Sequence, residues 1–173
     1  TDKKVNEVTE TLFARFAGPE DFARLRQEDL ERDIRSTGFY RNKAKNIIAA
    51  SKMICDEFNG SVPDTMSRLI TLPGVARKTA NIVLSSAFNR AEGIAVDTHV
   101  KRISQRLGLS RHDNPDKIER DLMNIVPREC WIDINYMLVE HGRAVCTARK
   151  PQCGSCMINH LCPGSQSGAP ASF

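Results

Sequence analysis

The sequence predicts an all-α protein, because apolar residues recur at helical spacing along most of the chain and the alternation typical of strands is nearly absent. Apolar side chains at residues 5, 8, 12, 13 and 16 predict the first helix, and Gly18 is expected to end it. The remaining helices are predicted over residues 21–25, 28–35, 41–58, 63–70, 76–88, 98–107, 115–126 and 129–143. Residues 93–96 are predicted to be extended but too isolated to form a sheet, and residues 164–173 to form a flexible tail.

The composition of the 173 residues is that of a folded intracellular protein, with 40% hydrophobic and 27% charged residues. No apolar run reaches membrane-spanning length, and the first residues lack the basic and apolar regions of an export signal. The sequence therefore argues against a membrane or secreted protein. The formal net charge of +4 is only mildly basic, so binding to a polyanion would require Lys and Arg residues to share one face.

A Pro-Gly turn at residues 73–74 is predicted to lead directly into the helix of residues 76–88. That helix is apolar except for Arg77 and Lys78, so only its first turn is expected to be solvated. Unpaired backbone NH groups at a helix start bind phosphate well, which makes Gly74, Val75, Ala76 and Arg77 a candidate phosphate-binding hairpin. The alternative is a turn that merely connects two helices.

Lys78 is either a solvated surface charge or an amine nucleophile. Nucleophilic attack requires the neutral amine, and a helix N-terminus contributes only about 0.3–1 kcal/mol toward removing the proton. Burial in a cleft and a neighbouring cation such as Arg77 would have to contribute the rest. Burial of Lys78 is therefore part of the catalytic hypothesis.

Asp97 directly precedes a predicted helix in which Val100, Ile103 and Leu107 recur at helical spacing. Its simplest predicted role is the N-cap of that helix. Capping and catalysis are compatible, because a carboxylate held by backbone NH groups is fixed in space and can act as a base or stabilise positive charge.

Cys146, Cys153, Cys156 and Cys162 follow the pattern C-x6-C-x2-C-x5-C, which indicates a metal site on one short loop. From spacing alone a four-cysteine zinc site ranks first and an iron–sulfur site second, since disulfides are rare in cytosolic proteins.

Basic residues lie within and just before the segment between Cys146 and Cys153. The chain has two further cysteines outside the loop. Arg143, Arg149 and Lys150 form either a patch for a DNA backbone or an ordinary solvated loop. Cys55 lies on the apolar face of a predicted helix and Cys130 lies beside a tryptophan, so both are predicted to be inert core thiols.

The hairpin LPGVARKTA followed by VDTHVKR resembles the helix-hairpin-helix DNA glycosylases, specifically the endonuclease III branch. Further similar stretches are GFYRNKAKNI, VPDTMSRLITLPG and EHGRAVCTARKPQCGSCMINHLC, so the resemblance runs from Thr1 to about Pro163. It implies a helix-hairpin-helix barrel domain over residues 1–91, an iron–sulfur domain over residues 92–163, and a catalytic cleft between them.

The resemblance also implies an activity, a cofactor and a partner. The expected enzyme is a bifunctional base-excision glycosylase for oxidised pyrimidines, in which Lys78 attacks the sugar C1′ and Asp97 stabilises the positively charged sugar. Subsequent β-elimination through a Schiff base cleaves the strand. The expected cofactor is one 4Fe–4S cluster on the four loop cysteines, and the expected partner is double-stranded DNA containing damaged bases or abasic sites.

In the family that the sequence resembles, the turn that corresponds to Phe39 carries an apolar wedge, often a leucine, that enters the duplex. Phe39 is the predicted wedge here, and Tyr40 is the core residue in the alternative interpretation. The enzyme is expected to be a monomer without membrane association. Its expected compartment is the cytoplasm, at the nucleoid, in a prokaryote, or the nucleus or mitochondrion in a eukaryote.

The sequence departs from the family pattern at two places. It begins with TDKKVN, where the family has a further N-terminal stretch that supplies helices and a glutamine filling the gap left by a flipped base. We therefore expect a fragment with impaired activity. Ala76 stands where the hairpin usually carries glycine, and we expect it to avoid positive φ, since left-handed backbone would cost of order 1 kcal/mol.

The sequence leaves two alternatives open. A mismatch-specific glycosylase for adenine or thymine belongs to the same superfamily, but the adenine branch generally lacks the lysine at position 78 and has a VDGN-like sequence where this chain has VDTH. A non-catalytic helix-hairpin-helix module that only binds DNA would require neither Lys78 nor Asp97.

Overall fold

The computed structural model describes residues 2–166, and within that range it contains helices and no strand, which confirms the all-α prediction. The α-helices are α1 (Asp2–Arg15), α2 (Pro19–Ala23), α3 (Gln27–Asp33), α4 (Tyr40–Phe58), α5 (Met66–Leu69), α6 (Arg77–Phe88), α7 (Thr98–Arg106), α8 (Pro115–Ile125), α9 (Trp131–Ala144) and α10 (Pro163–Gln166). Single 3₁₀ turns occupy Arg128–Cys130, Cys153–Ser155 and Asn159–Leu161. None of the helices formed by residues 2–166 combines the length and apolar character that crossing a membrane requires.

The chain divides into two compact units, Thr1–Ala76 and Arg77–Phe173. This division by compactness falls earlier than the family-based boundary at residue 91, which stays a prediction.

In the first unit, α4 contributes one buried face to a core shared with α1, α2 and α3. Its buried positions follow helical spacing, and Phe22 of α2 packs against Phe16 with ring centroids 5.2 Å apart. The buried members of this core are Leu12, Phe22, Leu30, Ile34, Ala44 and Ile48.

In the second unit, α7, α8 and α9 enclose a core to which the segment of residues 93–96 also contributes. Trp131 at the start of α9 donates an indole hydrogen bond to the Val126 carbonyl (2.9 Å). The buried members are Ile94, Val96, Val100, Ile103, Ile118, Leu122 and Leu138. Residues 94–96 are buried, and the segment 93–96 joins no strand, as the sequence predicts.

Several predicted boundaries need correction. The first helix ends at Arg15, and Gly18 instead forms the extended N-cap of α2 ahead of Pro19, because a proline suits the first helical position. Helix α5 starts at Met66, since Thr65 is extended. Of the predicted flexible tail, Gly164 belongs to α10 and lies close to the Arg106 backbone, while residues 167–173 are outside the described residues.

Candidate active site

The hairpin between α5 and α6 requires glycine at position 74. Gly74 has φ +79°, and the turn is closed by a hydrogen bond from the Val75 NH to the Leu72 carbonyl (3.0 Å). A Cβ at Gly74 would come within 2.7–2.9 Å of the Asn46 side chain, so the bare backbone lies directly on α4. Positive φ at non-glycine positions within residues 2–166 is confined to other sites, which confirms that Ala76 avoids it.

Lys78 lies in the first turn of α6, as predicted, but its side chain is exposed. Among residues 2–166 it has no ion-pair or hydrogen-bond partner. The burial that the nucleophile hypothesis requires is therefore absent from this conformation, and a bound substrate would have to supply it.

The Arg77 guanidinium forms an ion pair with a buried carboxylate. Its Nε donates to Glu119 Oε2 at 2.6 Å, and this hydrogen bond raises the pKa of the Arg77 guanidinium above its usual value. The Arg77 charge is thus paired with Glu119, and its predicted effect on Lys78 stays a prediction.

Asp97 is the N-cap of α7, which confirms the predicted capping role. Its Oδ1 accepts from the backbone NH groups of both His99 and Val100 at 2.8 Å. No donor among residues 2–166 is hydrogen-bonded to Oδ2. One oxygen therefore fixes the half-buried carboxylate while the other is available for chemistry.

The segment that leads to Asp97 is itself fixed. Ile94, Ala95 and Val96 are buried, and Asn135 of α9 donates to the Ala95 carbonyl at 2.6 Å. The position of the Asp97 carboxylate is thus set from both sides.

The four loop cysteines line one cavity of about 850 Å³. Each thiol is half-buried, and a cation lies against the first of them: Arg106 Nη1 donates to Cys146 Sγ at 3.2 Å. The same guanidinium binds the carbonyls of Thr147 and Ala148 at 2.8 and 2.9 Å, which fixes the loop. On the far side, His141 Nε2 lies 3.7 Å from Cys156 Sγ.

This cavity fits an iron–sulfur cluster. Within residues 2–166 no three His, Cys, Asp or Glu side chains converge closely enough to hold one metal ion, whereas a cluster spreads its four thiolate ligands over several atoms. The donors are soft thiols, and the neighbouring Arg106 offsets part of their negative charge when they ionise.

The predicted basic patch is only partly available. Arg149 and Lys150 are exposed, and the Thr147 hydroxyl holds their turn by donating to the Lys150 carbonyl at 2.7 Å. Arg143 is engaged by Glu140 of its own helix at 2.8 Å, so its charge is partly offset.

Phe39 has an unusual conformation immediately before α4. Its backbone is left-handed with φ 57°, and its side chain is 86% exposed. Tyr40 instead packs against the core of the first unit. A bulky residue in left-handed backbone carries strain, and strain of this kind concentrates at functional positions.

The remaining two cysteines are predicted to be inert core thiols, but neither belongs to the buried core of its unit, and their inertness stays a prediction. Cys55 and Cys130 are both half-buried, and burial raises the pKa of the Cys55 thiol, which keeps it in its less reactive form.

Sequence reasoning missed the groups that surround these candidates, chiefly Glu119, Asn81 and Arg106. Glu119 lies between Ile118 and Leu122 on the buried face of α8, and a charge on such an apolar face is the signal that could have identified it.

Comparison with known proteins identifies the family. Residues 1–128 match the HhH-GPD superfamily base excision DNA repair proteins, and residues 146–162 match the iron–sulfur binding domain of endonuclease III. The chain is 53% identical to endonuclease III of Synechocystis over 166 residues, covering 96% of this chain and 76% of that protein. It is 41% identical to endonuclease III of Escherichia coli K12, covering 94% of this chain and 76% of that protein.

Solved structures that are similar to this chain indicate the same family. A trapped endonuclease III–DNA covalent intermediate superposes with a TM-score of 0.91 at 47% identity, over 95% of this chain and 78% of that one. A thermostable thymine-DNA glycosylase at 23% identity, with a TM-score of 0.84 over 95% of this chain and 77% of that one, shares the fold. The protein is a base-excision repair DNA glycosylase with AP lyase activity, and its cofactor is a 4Fe–4S cluster. The chain therefore belongs to the endonuclease III family of HhH-GPD base excision DNA repair proteins.

Proposed function

We propose that the enzyme removes oxidised or ring-saturated pyrimidines from double-stranded DNA and then cleaves the strand through a Schiff base on Lys78. The observation that carries this proposal is that the two oxygens of Asp97 have different environments. Oδ1 caps α7, while Oδ2 stays available. A rigidly held carboxylate with one available oxygen suits the stabilisation of a cationic sugar.

The chemistry follows from an amine and a carboxylate. The target nucleotide leaves the base stack, because its glycosidic bond is unreachable within the duplex. Lys78 Nζ forms a bond to C1′, the C1′–N bond breaks, and the base leaves with the electron pair and then takes up a proton. Asp97 Oδ2 stabilises positive charge on the sugar and receives a proton from Nζ.

Strand cleavage uses the same covalent bond. After the sugar ring opens, the protonated imine of Lys78 acidifies the C2′ hydrogen. Loss of that proton expels the phosphate from C3′, and water releases the product from the lysine. Enclosure of the exposed Lys78 by bound DNA supplies the desolvation that its neutral form requires.

Three surfaces are proposed to hold the DNA. Phe39 enters the duplex as the wedge, and Arg149 with Lys150 contacts the backbone. The NH groups of Gly74, Ala76 and Arg77 hold a phosphate, whereas the NH of Val75, predicted to join them, closes the turn on the Leu72 carbonyl. Support comes from the structures of endonuclease III–DNA complexes to which this chain is similar.

The cluster is proposed to be bound by Cys146, Cys153, Cys156 and Cys162. When bound, it crosslinks the loop that carries the two exposed cations. We further propose that the enzyme acts as a monomer in the bacterial cytoplasm, at the nucleoid, on the basis of its bacterial relatives.

Borohydride trapping on a duplex with one oxidised pyrimidine tests the nucleophile. Wild type is expected to give a covalent adduct, and Lys78→Gln to bind DNA without forming it. Lys117→Gln is the matched control, because Lys117 is another exposed lysine in the first turn of a helix of the same unit. An adduct in Lys78→Gln equal to that of wild type would refute the assignment of Lys78, and no adduct in wild type would favour a non-covalent glycosylase or a DNA-binding module.

A further inference from the structure

Glu119 is a buried carboxylate with both oxygens in use. The residue is only 4% exposed, and its Oε2 and Oε1 accept from Arg77 Nε at 2.6 Å and from Asn81 Nδ2 at 2.8 Å. Arg77 and Asn81 are four residues apart and therefore lie on the same face of α6. Lys78 directly follows the first of them, so one carboxylate of α8 holds the turn that carries the proposed nucleophile.

The same carboxylate also lies against the segment that leads to Asp97. A Cβ added to Gly93 would overlap Glu119 Oε1 and would come within 2.8–2.9 Å of the Asn81 amide. Only bare backbone fits there. From Gly93 the chain runs through three buried residues to Asp97, and Asn135 holds the middle one.

Holding these elements together does not by itself require a charge. An apolar contact would pack α8 against α6 without the desolvation that a buried carboxylate suffers. What the carboxylate adds is direction, because two hydrogen bonds fix the orientation of α6 where a hydrophobic contact would permit sliding.

We propose that Glu119 is a positioning residue for catalysis: it sets the first turn of α6, which carries Lys78, relative to the segment that ends at Asp97. This inference rests on the proposed roles of Lys78 and Asp97. Glu119 itself touches neither substrate nor reacting atoms.

Three substitutions of Glu119 distinguish the effect of its two directed hydrogen bonds from the effect of its side-chain volume. Glu119→Ala removes both hydrogen bonds. Glu119→Asp keeps the charge but withdraws the carboxylate by one methylene group. Glu119→Gln can still accept from Arg77 and can donate to Asn81 Oδ1, a buried atom without a partner among residues 2–166, once the Asn81 amide rotates.

The measurement is the single-turnover rate of base excision at saturating DNA, together with the dissociation constant for undamaged duplex and the melting temperature. The expected rate falls by about 10²-fold in Glu119→Ala, the penalty typical of a displacement of about 1 Å. Glu119→Asp should lose a comparable factor and Glu119→Gln markedly less, and saturating DNA keeps these rates independent of any change in affinity at the Arg77 backbone NH.

Asp121→Asn is the matched control. Asp121 lies on the same helix, is half-buried, and accepts one hydrogen bond from Ser110 at 2.5 Å. Its substitution should lower the melting temperature without changing the saturating rate, which distinguishes positioning from general stability.

The inference is overturned if Glu119→Ala or, should that variant not fold, Glu119→Asp excises at the wild-type rate. It is also overturned if Asp121→Asn slows the chemistry as much as Glu119→Ala does. Borohydride trapping of wild type but not of Lys78→Gln, run in parallel, shows independently whether the proposed function stands.

Discussion

Replacing Phe39 by glycine should reduce activity without reducing stability. Phe39 has left-handed backbone immediately before α4 and is 86% exposed. If this residue enters the DNA, the enzyme keeps a strained and solvated aromatic ring because of what the ring does to its substrate. Glycine relieves the strain and removes the ring in one step.

The opposing stability terms nearly cancel. Left-handed backbone costs a non-glycine residue about 1–2 kcal/mol, which glycine recovers. Glycine gives back about 0.5–1 kcal/mol through the larger entropy of its unfolded state. An 86% exposed ring keeps only about 30 Å² buried, worth about 0.7 kcal/mol. The melting temperature of Phe39→Gly should therefore stay within about 4 °C of wild type.

The functional term does not cancel. Stacking of a base on an aromatic side chain contributes about 1–3 kcal/mol, so loss of the wedge should slow base excision by about 5- to 150-fold. Phe39→Leu, which keeps an apolar wedge, should recover most of the rate.

Differential scanning calorimetry and single-turnover excision on one lesion duplex measure the two effects. Asn59→Gly is the matched control, because Asn59 caps the other end of α4 in left-handed backbone with φ 52°. It should leave both the melting temperature and the excision rate near wild type. Wild-type excision by Phe39→Gly would show that the exposed ring has no role in opening the duplex.

The remaining predictions concern the carboxylate, the cluster and the basic loop. Asp97→Asn should keep the α7 cap, with a loss of unfolding free energy below about 1 kcal/mol by calorimetry, yet abolish most base excision. Asp97→Ala should lose excision and also about 0.5–2 kcal/mol of unfolding free energy. An excision rate lowered only in proportion to stability would show that Asp97 is a helix cap alone. The purified protein should be brown, absorb broadly in the visible and contain iron rather than zinc by elemental analysis, and replacing Cys153 or Cys156 by serine should lower the iron content; a colourless stoichiometric zinc protein would contradict the cluster ligands. Replacing Arg149 and Lys150 together by glutamate should weaken binding to damaged and undamaged duplexes alike and make the logarithmic salt dependence shallower by roughly one for each phosphate that the variant no longer neutralises; an unchanged salt slope with an intact cluster would place the DNA footprint elsewhere.

Local chemistry explains which parts of the molecule could be predicted from the sequence. Asp97 caps α7 through amides two and three residues away, so the sequence pattern contains the whole interaction. Gly74 closes a turn whose own residues demand positive φ. The cysteine loop is equally local, since its four thiols fall within one short segment.

Interactions between distant residues could not be read in the same way. Glu119 and Arg77 are 42 residues apart, and the sequence around either residue does not indicate its partner. Arg106 reaches Cys146 across 40 residues. Glycine commonly follows a helix, which predicts Gly18 as the end of α1, but the proline after it makes Gly18 the N-cap of α2 instead. The exposure of Lys78 likewise depends on the packed fold and not on its sequence neighbours.

The second unit separates the groups that hold the site from the groups proposed to react. Glu119 and the chain leading to Asp97 are buried and hydrogen-bonded, whereas Lys78 is exposed and Asp97 Oδ2 accepts no hydrogen bond from residues 2–166. Stability and chemistry therefore rest on different atoms, even where they share a residue. For this reason a substitution that preserves the bonds of Asp97 Oδ1 can abolish turnover without unfolding α7. One at Glu119 can slow turnover without touching DNA, because it moves the helix start that carries the nucleophile.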